Sequence, residues 1–69
     1  MLHKKMEAAL NRQINNEMVA AYHYLGMAAW FERQHLPGFA AWFLQQRSEE
    51  LTHAMKLFHY VIDRGGEID

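Results

Sequence analysis

The sequence contains no cysteine, and it has one proline and four glycines among 69 residues. The lack of cysteine excludes a disulfide framework and fits a reducing compartment. No apolar run approaches the ~20 residues that span a bilayer, and the first residues lack the apolar core of a signal peptide. We therefore predict a cytoplasmic protein without a membrane partner.

The sequence also lacks an excess of charge of either sign. Seven Lys and Arg stand against eight Asp and Glu, which gives a formal net charge of −1. There is no basic block and no interleaving of basic and aromatic residues. These features exclude the usual patterns of a nucleic-acid-binding protein.

Apolar residues, by contrast, are abundant for so short a chain. A chain of this length forms one domain (residues 1–69) and buries a small share of its surface when it is alone. Yet 51% of the residues are hydrophobic and 13% are aromatic, which is more apolar material than one helical hairpin can hide. We therefore expect an obligate oligomer, at least a homodimer.

The first predicted helix runs from about residue 5 to residue 33, a stretch without proline and with one glycine. Apolar or amphipathic side chains recur there at steps of three and four, which indicates one helix face. The members of this face are Leu10, Ile14, Glu17, Ala21, Tyr24, Ala28 and Phe31. Glu17 is the exception, because a carboxylate in an apolar stripe is costly unless it is paired or binds a cation.

A turn is predicted at residues 34–38, since Pro37 disfavours helical geometry at Leu36 and suits the first turn of a new helix. The second helix is predicted at about residues 39–64, and Gly65 and Gly66 supply a glycine C-cap. One face of it carries Phe39, Phe43, Glu50, Ala54, Leu57 and Val61. The predicted fold is all-α, an antiparallel helical hairpin.

Glu50 and His53 lie at positions i and i+3 of the second helix, so both side chains leave the same face. Counted along the helix axes at ~1.5 Å per residue, Glu17 lies roughly 24 Å from the turn and His53 roughly 23 Å. A carboxylate from one helix and a carboxylate and an imidazole from the other therefore meet at one level. This arrangement predicts a metal site of Glu17, Glu50 and His53.

Two copies of the hairpin make a four-helix bundle, and a two-fold axis doubles the ligand set to four carboxylates and two imidazoles. That set is typical of di-iron and di-manganese bundles, and its lack of thiolate suits iron or manganese better than structural zinc. In such a centre we expect Glu50 to bridge two metals, Glu17 to be a terminal ligand, and His53 to complete each metal's shell.

Several runs resemble the ferritin family, and most closely the first two helices of bacterial non-haem ferritins. The runs are Leu10-Asn11-x-Gln13-Ile14-Asn15-x-Glu17, Ala29-Trp30, Glu49-Glu50-x-Thr52-His53, Leu57-Phe58-x-Tyr60 and Asp63-Arg64-Gly65-Gly66, together with Tyr24. The resemblance covers nearly all 69 residues. The resemblance implies that the dimer is a ferritin-like four-helix bundle.

The resemblance also implies residue roles. Glu17, Glu50 and His53 match the catalytic iron ligands of the ferroxidase centre, Glu49 matches an accessory iron position, and Tyr24 matches a tyrosine beside the centre. Bacterioferritins bind haem through a methionine directly after the glutamate of Glu-x-x-His. Here that position is Leu51, so the resemblance does not imply haem.

The implied function is that of a ferroxidase, which oxidises Fe(II) to Fe(III) with O2 or H2O2 in iron storage and detoxification. One alternative is a di-iron protein that removes peroxide. A second is a non-catalytic hairpin that is a fragment of a longer ferritin. Ferritin chains have four long helices, so the chain is either a half-length ferritin completed by a second copy, with a higher oligomer or cage beyond it, or part of a longer chain.

Overall fold

The computed structural model describes residues 2–69 as two antiparallel helices with no strand among them. Helix α1 spans Lys4–Arg33 and helix α2 spans Pro37–Asp63. The hairpin measures 50 × 15 × 11 Å, so the prediction of an all-α hairpin is confirmed. Neither helix of the described chain has a stretch long and apolar enough to cross a membrane.

The turn between the helices is closed by a Schellman motif at the end of α1. The backbone N–H of His35 donates to Glu32 O at 3.0 Å, and that of Leu36 donates to Phe31 O at 3.0 Å. This pattern requires the residue directly before Leu36 to adopt left-handed backbone geometry. His35 does so with φ = 60°, in a position that usually favours glycine.

Helix α2 begins at Pro37, two residues before the predicted start at Phe39. A proline is suited to the first helical position, because its missing N–H has no partner there and its φ is already close to the helical value. Leu36 precedes it with non-helical backbone angles, φ = −118° and ψ = 70°, since a proline disfavours helical geometry in the residue before it. The turn is therefore residues 34–36, shorter than predicted.

At its other end α2 stops one residue before the predicted end at 64. Gly65 has φ = 75°, and its N–H donates to Ile62 O at 3.0 Å. The N–H of Gly66 donates to Val61 O at 2.9 Å. These two bonds form a second Schellman motif, which confirms that glycine ends the helix.

The seam between the helices is made of small residues. The fully buried side chains are Ala21, Ala28, Ala40, Ala54 and Val61. Small residues let helix axes approach closely, since the interaxial distance depends on the side chains at the contact. The large apolar residues consequently flank the seam and stay partly exposed.

Three large aromatic residues are more than half exposed in the hairpin. They are Trp30, Trp42 and Phe39, the last with 58% of its surface accessible. Phe39 still stacks on Phe31, with ring centroids 5.2 Å apart. These rings lie outside the core of the hairpin, because its one seam is occupied by small side chains. A subunit contact stays a prediction.

Residues after α2 fold back onto the first turns of α1. The Asn11 side-chain amide donates to Glu67 O at 2.9 Å and accepts from Asp69 N at 2.8 Å. Glu7 Oε2 accepts from Glu67 N at 3.3 Å. This C-terminal segment is therefore held against α1 by hydrogen bonds to the side chains of Asn11 and Glu7.

Candidate metal centre

Three side chains that can bind a metal meet across the seam. Glu17 reaches from α1, and Glu50 and His53 reach from α2. His53 Nδ1 lies 3.5 Å from Glu17 Oε2 and 4.0 Å from Glu50 Oε2. One donor atom from each residue lies within 4.8 Å of the others. No other group of three or more such residues occurs in the described chain.

Small neighbours explain how side chains of two helices come so close. Ala21 follows Glu17 by one helical turn on α1, and Ala54 follows Glu50 by one turn on α2. Both alanines are fully buried, so the helix backbones approach at this level. The i, i+3 spacing then places the Glu50 and His53 side chains together on the α2 surface.

The carboxylates of the cluster are largely covered, whereas the imidazole is open. The exposed fraction of the side chain is 15% for Glu17, 23% for Glu50 and 57% for His53. Glu17 Oε2 is buried and has no hydrogen-bond partner. A buried carboxylate oxygen without a partner is rare and destabilising, and a cation bound at this point would satisfy it.

The two carboxyl groups also compete for one proton. When Glu50 carries it, its hydrogen bond to Glu17 lowers the pKa of Glu17, and the amide of Gln13 lowers that pKa further. The same bond raises the pKa of Glu50, and burial and the negative charge of Glu17 act in the same direction. The pair therefore tends to retain a proton that metal binding would displace.

Comparison with known proteins identifies the family. The sequence model of the ferritin-like domain family matches residues 7–69. The chain belongs to this family. The resemblance to ferritins that the motifs indicated is thereby confirmed.

Individual ferritins match the chain over nearly its full length. It is 42% identical over 69 residues to the bacterial non-heme ferritin of Staphylococcus aureus strain USA300, covering 100% of this chain and 42% of that protein. The open-pore ferritin from the hyperthermophilic archaeon Archaeoglobus fulgidus superimposes with a TM-score of 0.94 and 50% identity, covering 99% and 42%. A closed form of that ferritin, engineered by site-directed mutagenesis, gives 0.96 and 49%, covering 100% and 42%. The chain thus spans less than half the length of each of these ferritins.

Two further residues that the ferritin resemblance singled out lie outside the cluster. Glu49 precedes Glu50 on α2 and is exposed, and the structure does not bring it into the group of three. Tyr24 is partly buried and packs on Phe43, with ring centroids 6.1 Å apart and an interplanar angle of 33°. The accessory metal role of Glu49 and the role of Tyr24 beside a ferritin centre stay predictions.

One residue that contacts a predicted ligand was not predicted from the sequence. The Gln13 Nε2 amide donates to Glu17 Oε1 at 2.8 Å. Gln13 belongs to the ferritin-like run that ends in Glu17, but it is neutral and not a metal ligand, so a search for ligands passes over it. The i, i+4 spacing of Gln13 and Glu17 was the available signal.

Proposed function

We propose that this chain binds Fe(II) through Glu17, Glu50 and His53, and that a centre completed by a second copy oxidises it to Fe(III) in iron storage and detoxification. The observation that carries this proposal is the buried Glu17 Oε2, which has no hydrogen-bond partner and lies 3.5 Å from His53 Nδ1. Membership in the ferritin family supports the choice of iron.

The donor set suits iron. Two carboxylates and one imidazole without thiolate favour iron or manganese over a structural zinc site. Bound Fe(II) supplies the electrons that reduce O2 or H2O2. The side chains of Glu17 and Glu50 would neutralise the charge of the cation. Because the pKa of Glu50 is raised by its hydrogen bond to Glu17, binding has to displace a proton where that carboxyl is protonated. Because the His53 side chain is exposed, the cluster is open to solvent on the side of the imidazole.

Three protein ligands from one chain are half of the set that a di-iron bundle uses, and a second copy of the hairpin is the proposed complement. The sum is then four carboxylates and two imidazoles, the ligand set of di-iron bundle proteins. The hairpin leaves large apolar side chains exposed that a second copy would cover. Four of them have 41–58% of their surface exposed: Met27, Phe39, Trp42 and Tyr60.

The ferritins that the chain resembles are more than twice as long, so a further segment of a longer chain is the other possible complement. The two routes differ in mass. Completion by a second copy gives metal-loaded particles of two chains or a multiple. Completion by further sequence leaves this hairpin alone without a full ligand set, as the fragment alternative requires.

Stopped-flow oxidation of Fe(II) tests the activity. We expect rapid oxidation by the wild-type chain, and Glu50→Ala or His53→Ala should reduce the initial rate to that of Fe(II) in buffer. Glu32→Ala and His59→Ala alter exposed residues outside the cluster and should leave the rate unchanged. Comparing initial rates with O2 and with H2O2 separates ferroxidase activity from peroxide removal. Equal rates in wild type and both cluster variants would refute the assignment.

A further inference from the structure

The two oxygens of the Glu17 carboxylate have different surroundings. Oε1 accepts a hydrogen bond of 2.8 Å from the side-chain amide of Gln13. Oε2 is buried, has no hydrogen-bond partner and faces His53 at 3.5 Å. One oxygen is therefore held by the protein, and the other is directed into the metal-binding cluster.

We propose that Gln13 is a positioning residue of the metal centre: its amide holds Glu17 Oε1 and thereby presents Oε2 alone to the cation. This inference rests on the proposed function, because it concerns how the same site binds its metal. It predicts that Glu17 ligates through one oxygen and that the orientation of the carboxylate is set before the metal arrives.

The physical reason lies in the freedom of a glutamate side chain. An unrestrained carboxylate rotates about its terminal bond and can offer a cation one oxygen or both. A donor that occupies Oε1 fixes the carboxylate plane and reduces the availability of that oxygen. Hydrogen-bonding partners of this kind orient metal ligands in many proteins, and their loss typically weakens metal binding or activity about 10–100-fold.

The position of Gln13 makes this role separable from a role in folding. Gln13 lies one helical turn before Glu17, and the residue is exposed. Hydrogen bonds between exposed side chains at i, i+4 add little to helix stability. Loss of the amide should therefore affect metal binding and leave the folding of the metal-free protein nearly unchanged.

The test compares the wild-type chain with Gln13→Met, which keeps the length and helix propensity of the side chain but removes the donor. Gln45→Met is the matched control, because Gln45 is an exposed glutamine on α2 away from the cluster. The probe is Co(II) under anaerobic conditions. Visible absorption gives its affinity and ligand geometry, and the infrared carboxylate stretches of the loaded protein distinguish binding through one oxygen from binding through two.

We expect Gln13→Met to weaken Co(II) binding about tenfold and to narrow the separation between the antisymmetric and symmetric carboxylate stretches, since Glu17 then binds through both oxygens. Its metal-free melting temperature and all properties of Gln45→Met should match wild type. Unchanged affinity and stretches in Gln13→Met would overturn the inference alone, and so would an equal loss of metal-free stability. A wild-type chain that binds no Co(II) would remove both the inference and the proposed function.

Discussion

Replacing Glu17 by methionine should stabilise the metal-free protein while it destroys the metal site. Glu17 has a buried oxygen without a hydrogen-bond partner, so the metal-free fold carries a desolvated polar atom whose cost is offset only in part, when Glu50 carries the shared proton. Methionine is a straight-chain residue with a helix propensity close to that of glutamate, and it adapts to irregular packing. The substitution therefore removes the unpaired group with little change of shape.

The expected gain follows from two opposing contributions. A buried unsatisfied polar atom costs about 1–3 kcal/mol, and loss of the exposed hydrogen bond from Gln13 costs about 0.2–0.5 kcal/mol. Because Glu50 relieves part of the cost when it donates a proton to Glu17, the lower half of the first range applies. Glu17→Met should then raise the free energy of unfolding by about 1 kcal/mol, which is roughly 4–8 °C in Tm for a chain of this size.

Urea denaturation at equal chain concentration, with a chelator present, measures this difference. With a metal at ~100 times its Kd the order should reverse, since the wild type alone gains about 2.7 kcal/mol from binding. Glu32→Met, at an exposed position of α1, controls for the loss of a negative charge. A metal-free Glu17→Met protein that is less stable than wild type would refute the view that the unpaired oxygen strains the fold.

Three further predictions follow from the turns and from the shared proton. His35→Gly should raise the free energy of unfolding by about 0.5–1 kcal/mol, because glycine removes the left-handed strain at φ = 60° and this gain exceeds the added freedom of the unfolded chain. Urea titrations measure the change, and a loss of stability would contradict the strain at His35. Gly66→Ala should lower the free energy of unfolding by about 1–3 kcal/mol, since an added Cβ would lie 2.8 Å from Val61 Cγ1 and 2.9 Å from Leu2 Cδ2. Thermal unfolding without metal measures this loss, and an unchanged Tm would argue against the close approach. Because the pKa of Glu50 is raised above 4.5, metal binding at low pH must release the Glu50 proton, and the affinity for Co(II) should rise as the pH rises through that pKa. Calorimetry in two buffers of different ionisation enthalpy counts the released protons, and a count of zero at every pH would contradict the shared proton.

The hairpin was predictable from sequence because its signals are local. The steps of three and four that include Ala21 and Ala28 indicate a helix whatever surrounds it, and Gly65 allows the left-handed turn that ends α2. The start of α2 was misplaced because a proline marks the first turn of a helix without fixing which residue begins it. The residue type of His35 is only a weak signal of its left-handed geometry, since histidine adopts positive φ more often than most residues but still rarely.

Burial was harder to predict, because it depends on what packs against the hairpin. An apolar stripe marks the residues that favour contact, but Phe39, a member of the α2 stripe, is exposed because small side chains occupy the seam. The three residues of the candidate site were predictable from spacing and level along the helices. The role of Gln13 was not, because the direction of a neutral amide is decided by packing and hydrogen bonding around it.

An anaerobic Fe(II) titration, with the mass of the same sample determined in solution, tests the central claim most directly. The shared centre predicts saturation at about one iron per chain on particles of two chains or a multiple of two. Loss of saturable binding in Glu50→Ala, with the mass unchanged, would assign the iron to this cluster. A wild-type chain that shows no saturable binding, or that binds iron as a single chain, would contradict the claim of a centre shared between two copies.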